Sequence, residues 1–272
     1  FPVERNQFKD RLPGDIAMDI VLLGHGSRRG KDTDIGLQDV VRRLSSRLGN
    51  GSKVRMAGFE FTQPTLQEAI MGLAEEGSSK IVVLPFFLFE GKHIKLEIPE
   101  QLEQLQPLIP GASLVYARPL GVDSRLMQIV VERVDSATNS GTEANHKSKG
   151  IVLVVRGSRP LYDSGENLYK LVTGLVDVYG GKIRVEPAQA QFGFPTIEAA
   201  IASVVRQNVE VIVVVPYLLF PGKVLYDNIQ PAVERARESY PHIQFRLAKT
   251  LGVDDRMIDI VLDRLREVGV GC

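Results

Sequence analysis

Short β-branched runs alternate along the chain with longer amphipathic ones. The runs 20–23, 54–61, 81–87 and 114–117 are rich in β-branched, aromatic and other apolar residues and predict strands, and 151–155, 183–190, 211–219 and 245–248 predict four more. Several are apolar throughout instead of alternating, which suits a parallel sheet covered on both faces. Between them the apolar positions recur at helical spacing. Val40, Val41, Leu44 and Leu48 fall on one stripe, as do Ile258, Val261, Leu262 and Leu265. Four strand–helix units in each half predict two tandem doubly wound α/β lobes, and ligands of such sheets sit outside the carboxyl ends of the strands.

The two halves are copies. At an offset of 131 residues, Gly26-Ser27-Arg28 falls on Gly157-Ser158-Arg159, Pro64-Thr65 on Pro195-Thr196, and Pro85 on Pro216. Gly91-Lys92 likewise falls on Gly222-Lys223, and Leu120-Gly121-Val122-Asp123 on Leu251-Gly252-Val253-Asp254. One ungapped offset across more than a hundred residues points to duplication of a whole domain, since solenoid repeats run about 20–50 residues. Residues 135–149, DSATNSGTEANHKSK, hold no apolar side chain larger than alanine and predict an exposed linker. The expected order is a flexible lead-in over 1–18, a first lobe over 19–134, the linker over 135–149 and a second lobe over 150–272.

Composition narrows the field. The 272 residues carry 33 Lys plus Arg against 33 Asp plus Glu, and a zero net charge argues against a general nucleic-acid binder. A single cysteine, Cys272, excludes a disulfide framework and a cysteine-built metal site within one chain. No apolar run reaches the roughly 18 residues of a membrane span. The first 15 residues lack the apolar core of a secretory signal, so a cytoplasmic or organelle-stroma location is expected.

The copies differ where chemistry is expected. His25 ends the first strand between two glycines, and its counterpart is Arg156. Glu60, near the end of the second strand, is matched by Gln191, and His93, just past the third, by Val224. All three map to one rim of one sheet, and all three are replaced in the copy. The remaining histidines, His146 in the linker and His242 before a strand, read as solvated surface residues. Two imidazoles with a carboxylate suit Fe(II), Co(II), Ni(II) or Zn(II). A neutral imidazole near pH 7 serves equally as a general base, and the residues alone leave ligand and base open. The segment from Gly24 to Arg28 is neither a P-loop nor a G-x-G-x-x-G fingerprint. A phosphohistidine mechanism would want Arg-His-Gly where Gly24-His25-Gly26 stands.

These motifs resemble the long-form sirohydrochlorin chelatases of the CbiX/SirB type, class II chelatases, over residues 19–268. The most specific parts are Gly24-His25-Gly26-Ser27-Arg28, the Glu60 segment followed by Pro64-Thr65, and the run from Pro85 to His93 followed by Ile98-Pro99. Glu97 stands where Asp is expected before Ile98-Pro99. The resemblance implies a chelatase fold of two facing lobes. It also implies ATP-independent insertion of Fe2+, Co2+ or Ni2+ into a sirohydrochlorin-type tetrapyrrole, for siroheme or cobalamin, with no organic cofactor. His25, Glu60 and His93 would handle the metal and its chemistry in one site per chain. Basic loop residues would hold substrate carboxylates: Arg28, Lys92, Arg156 and Arg159 first, with Arg29, Lys31, Lys95 and Lys223 as further candidates. Arg156→Ala is expected to leave metal binding nearly unchanged. A carrier of metal or tetrapyrrole would need the same residues. The second lobe offers the surface that a single-lobe chelatase would take from another subunit, so a monomer suffices, with no nucleic acid or membrane partner.

Overall fold

The computed structural model describes residues 18–26, 31–48, 51–138, 148–157 and 165–271. The first lobe runs β1 (Asp19–Gly24), α1 (Lys31–Leu48), β2 (Val54–Gly58), α2 (Leu66–Glu75), β3 (Lys80–Pro85), α3 (Ile98–Leu105), β4 (Ser113–Tyr116) and α4 (Ser124–Thr138). The second repeats it as β5 (Lys149–Gly157), α5 (Gly165–Val178), β6 (Arg184–Phe192), α6 (Ile197–Val205), β7 (Val211–Pro216), α7 (Gln230–Ser239), β8 (Gln244–Leu247) and α8 (Asp255–Glu267). A π-helical turn precedes α3 (His93–Glu97) and another precedes α7 (Val224–Ile229). Each lobe holds a four-stranded parallel sheet, ordered β2-β1-β3-β4 and β6-β5-β7-β8. Chain direction across the sheet reverses between β1 and β3, and again between β5 and β7, which opens a crevice at their carboxyl ends.

Local chemistry sets the boundaries. Thr65 caps α2 in a reciprocal box with Glu68, and Thr196 caps α6 through the Ala199 amide. β3 and β7 stop at Pro85 and Pro216, short of the expected ends at 87 and 219, because proline has no N–H to continue a ladder. β2 ends at Gly58 instead of 61, where a tight turn brings Thr62 against Gly58, while β6 runs on to Phe192. The linker is shorter than expected. α4 continues to Thr138, whose buried hydroxyl donates to the carbonyls of Val134 and Asp135, and β5 already begins at Lys149.

Packing shows that the lobes are not independent. α2 and α3 cover one face of the first sheet, and α6 and α7 one face of the second, each over its own core. The opposite faces, with α1, α4, α5 and α8, close over a single core shared by both lobes. The polar contacts across this seam come in reciprocal pairs. Arg133 donates to the carbonyls of Thr250 and Leu251, and its counterpart Arg264 donates to those of Pro119 and Leu120. Arg125 pairs with Asp263 at 2.8 Å, and Arg256 with Glu132 at 2.7 Å. Phe86 packs on Phe220 with ring centroids 6.2 Å apart, and Phe89 on Tyr217 at 5.5 Å. In each case residue i meets the copy of j while j meets the copy of i, the signature of a two-fold interface, here folded into one chain.

Candidate functional site at the two-fold seam

Backbone hydrogen bonds gather the site. The Phe59 amide donates to Gly24 O, Glu60 N to His25 O and Phe86 N to Leu23 O, each near 2.9 Å. The ends of the first three strands are thereby bound side by side. Gly26 has φ +82°, and a Cβ there would lie 1.6 Å from the Glu60 carbonyl, so only glycine permits this closure.

His25, Glu60 and His93 meet on this rim. The His25 and His93 rings lie edge to face with centroids 5.3 Å apart, and His25 Nδ1 is 3.9 Å from Glu60 Oε2. Phe59 packs on His93 at 4.9 Å and Phe87 lies 6.0 Å from His25, which gives the imidazoles an apolar backing. The three residues are neighbours without forming a closed ligand set, and among the described residues no group of three His, Cys, Asp or Glu could hold a metal ion. Each imidazole already has a partner. Arg156 Nη1 is 2.9 Å from His25 Nε2, and His93 Nδ1 is 2.5 Å from Glu97 Oε2.

A guanidinium can only donate, so the Arg156 contact requires an Nε2 lone pair and places the His25 proton on Nδ1. Burial, then the Arg156 charge, holds His25 below the usual histidine range, so its imidazole is neutral near pH 7. Nδ1 itself is buried and finds no hydrogen-bond partner among the described residues. Hydrogen bonds from Lys92 and then from His93 hold the Glu97 carboxyl below its ordinary range. An ionised Glu97 accepts the Nδ1 proton of His93, which leaves the His93 Nε2 lone pair for a metal.

The second lobe replaces this set. Arg156 Nε donates to Gln191 Oε1 at 3.3 Å, and Gln191 Nε2 to Asn228 Oδ1 at 3.2 Å. His25 and Arg156 are each other's counterparts, so their contact lies on the pseudo-two-fold. Lys92 and Lys95 are turned to carboxylates of their own lobe, Lys92 to Glu97 at 2.7 Å and Lys95 to Glu90 at 3.7 Å. Lys223 and His242 are exposed. Arg28, Arg29, Arg159 and His146 lie outside the described residues, as does the lead-in before Met18, and the Lys31 side chain is not described. Sequence reasoning missed Glu97 and Asn228 as parts of these networks. The i, i+4 spacing of His93 and Glu97 was the available signal.

Comparison with known proteins agrees with this architecture. The CbiX family model matches the chain twice, over residues 19–137 and 150–268. A sirohydrochlorin cobaltochelatase of Priestia megaterium is 27% identical over 257 residues, 94% of this chain and 81% of that protein. A sirohydrochlorin ferrochelatase of the same organism is 27% identical over 251 residues, 92% and 90% respectively. The structure of SirB from Bacillus subtilis with Fe3+ superposes with a TM-score of 0.73 at 22% identity, covering 92% of this chain and 94% of that one, and so shares its fold. Among the described residues no helix is long and apolar enough to cross a membrane. With two facing copies of one α/β unit, each matched by the same family model, the chain belongs to the CbiX family.

Proposed function

We propose that this protein inserts a divalent metal, Fe2+ or Co2+, into sirohydrochlorin without ATP, and that it works from one site on the seam between its lobes. The observation that carries the reading is the placing of His25, Glu60 and His93 on one rim, with a cation from the degenerate lobe directly opposite. Insertion exchanges one M2+ for two pyrrole protons, so the site must present metal ligands and accept protons. His93 supplies a ligand through Nε2, its proton held on Nδ1 by Glu97. His25, neutral at pH 7, serves as a second nitrogen ligand or as a proton acceptor once its Nε2 is free. Glu60 adds negative charge beside it. Arg156 suits a carboxylate of the macrocycle, which its planar fork grips in bidentate fashion. Arg28 and Arg159 follow β1 and β5 in the sequence and join the same reading. Positioning ring and metal together lowers the barrier by proximity.

The absorbance spectrum of sirohydrochlorin tests this. With Fe2+ or Co2+ and protein far below the tetrapyrrole concentration, we expect many turnovers of metallated product. A spectral shift that saturates at one ring per protein, with no acceleration of metallation, would replace the enzyme with a carrier.

A further inference from the structure

We propose that Arg156 sets the order of binding: it holds the reactive lone pair of His25 until a macrocycle carboxylate draws it away, so the tetrapyrrole binds before the metal. This rests on the reading of His25 as part of the chelatase site. Two observations and two physical constraints lead to it. The Nδ1 atom of His25 is buried, so a metal can reach only Nε2. Arg156 Nη1 already stands 2.9 Å from that nitrogen. A metal would need the same lone pair at about 2.0–2.1 Å, so the two cannot occupy it together. A fixed positive charge at that distance also repels a dication.

The arginine is held by weak partners. Among the described residues, its side-chain hydrogen bonds go to an imidazole and to the Gln191 amide, and neither is an anion. Gln191 is steadied in turn by Asn228. These two amides occupy the positions of Glu60 and Glu97, so the second lobe offers the guanidinium no carboxylate where the first lobe keeps two. A substrate carboxylate gives a charge-assisted, bidentate bond that is stronger than a bond to neutral imidazole. It therefore competes for Arg156 and frees His25. The coupling works in both directions, since what favours metal after the ring also favours ring before the metal. The ordering role predicts the opposite of the expectation that Arg156→Ala leaves metal binding nearly unchanged.

The test is calorimetric titration of the full-length protein with Co2+ alone, without tetrapyrrole, followed by initial rates with both substrates varied. Arg156→Ala should bind Co2+ about tenfold more tightly than the wild type, in the ordinary range of coupling between sites. Gln191→Leu, which removes only the support of the arginine, should tighten binding by less. In the wild type the KM for Co2+ should fall as sirohydrochlorin rises, whereas in Arg156→Ala it should not depend on sirohydrochlorin. If Arg156→Ala binds Co2+ no more tightly while His25→Ala still abolishes binding, the ordering role is overturned and the site survives. If His25→Ala leaves Co2+ affinity intact in both the wild-type and Arg156→Ala backgrounds, the metal is not on His25. The ordering role then fails with the ligand role of His25, and the metallation rate of His25→Ala decides whether the residue still serves the site as a proton acceptor.

Discussion

The two lobes share a scaffold and divide the chemistry. What the fold requires is kept in both copies. The helix-capping Thr65 and Thr196 are kept, as are the seam arginines Arg133 and Arg264 and the turn-closing Gly26 and Gly157. The active rim diverges instead. The first lobe carries two imidazoles and two carboxylates at His25, Glu60, His93 and Glu97, where the second carries a guanidinium, two amides and an aliphatic chain at Arg156, Gln191, Val224 and Asn228. The second rim lacks imidazole and carboxylate at these four positions yet keeps an ordered network. Its amides hold Arg156 in a relay directed at the first lobe.

Substitutions that copy the second lobe into the first measure this division. The largest effect is expected from His93→Val, which reproduces Val224, and from His25→Ala. Each should cut the metallation rate about 10²-fold or more, the scale for removing a group that transfers protons or holds the reacting centre. The fold should persist, since both side chains are only partly buried at loop ends and carry little of the core. Thermal unfolding near the wild-type temperature beside a lost rate would confirm the separation. A wild-type rate in both variants would remove these histidines from the mechanism.

Glu97→Gln comes next. It keeps the shape but cannot accept the His93 proton as strongly, and it releases Lys92 from its ion pair. Partners behind a metal-binding histidine are worth about 10–100-fold in metal affinity or activity. The KM for metal should rise at the low end of that range, with the KM for sirohydrochlorin nearly unchanged. An equal rise in both would show a general disturbance of the π-turn instead. Glu60→Gln, the copy of Gln191, should be milder. Once His25 takes up a proton, a carboxylate 3.9 Å away is worth at least about 1 kcal/mol, the value for two unit charges in water, or about fivefold in rate.

Much of this was legible in the chain. The 131-residue offset revealed the two copies and the resemblance implied that they face one another; reciprocal pairs such as Arg125–Asp263 and Arg256–Glu132 follow from that arrangement. The continuous apolar strands foretold a parallel sheet, since β1 and β7 are buried along their whole length. The meeting of His25, Glu60 and His93 could be read from strand ends alone. The partners of each imidazole could not. Whether Arg156 reaches a carboxylate or a histidine depends on how closely the lobes approach, and the shared core decides that. The expected linker was too long because Ser136, Ala137 and Thr138 look like loop by composition, yet α4 buries Thr138.

The smallest expected effect lies in the seam, at a difference between copies that adds cost without chemistry. Tyr217 is buried in the shared core, and its hydroxyl has no hydrogen-bond partner among the described residues. Its counterpart is Phe86, equally buried and stacked on Phe220. A buried hydroxyl without a partner costs about 1–3 kcal/mol. Tyr217→Phe removes that group and keeps the ring against Phe89. Stability should rise by about 1 kcal/mol, or about 2–4 °C in unfolding temperature for a chain of this size. The alkaline limb should change as well. Burial pushes the Tyr217 phenol well above its ordinary value. Above about pH 10 the unfolded chain releases this proton while the native state retains it, so wild-type stability falls as pH rises. The variant loses this part of the fall and keeps the parts due to Tyr116 and to Tyr179, the latter pushed up to about 12. Urea unfolding at pH 7 and at pH 11 should therefore show a larger gain at the higher pH. An equal gain at both would mean that the hydroxyl costs packing alone, and a loss at pH 7 would mean that it has a partner in the seam.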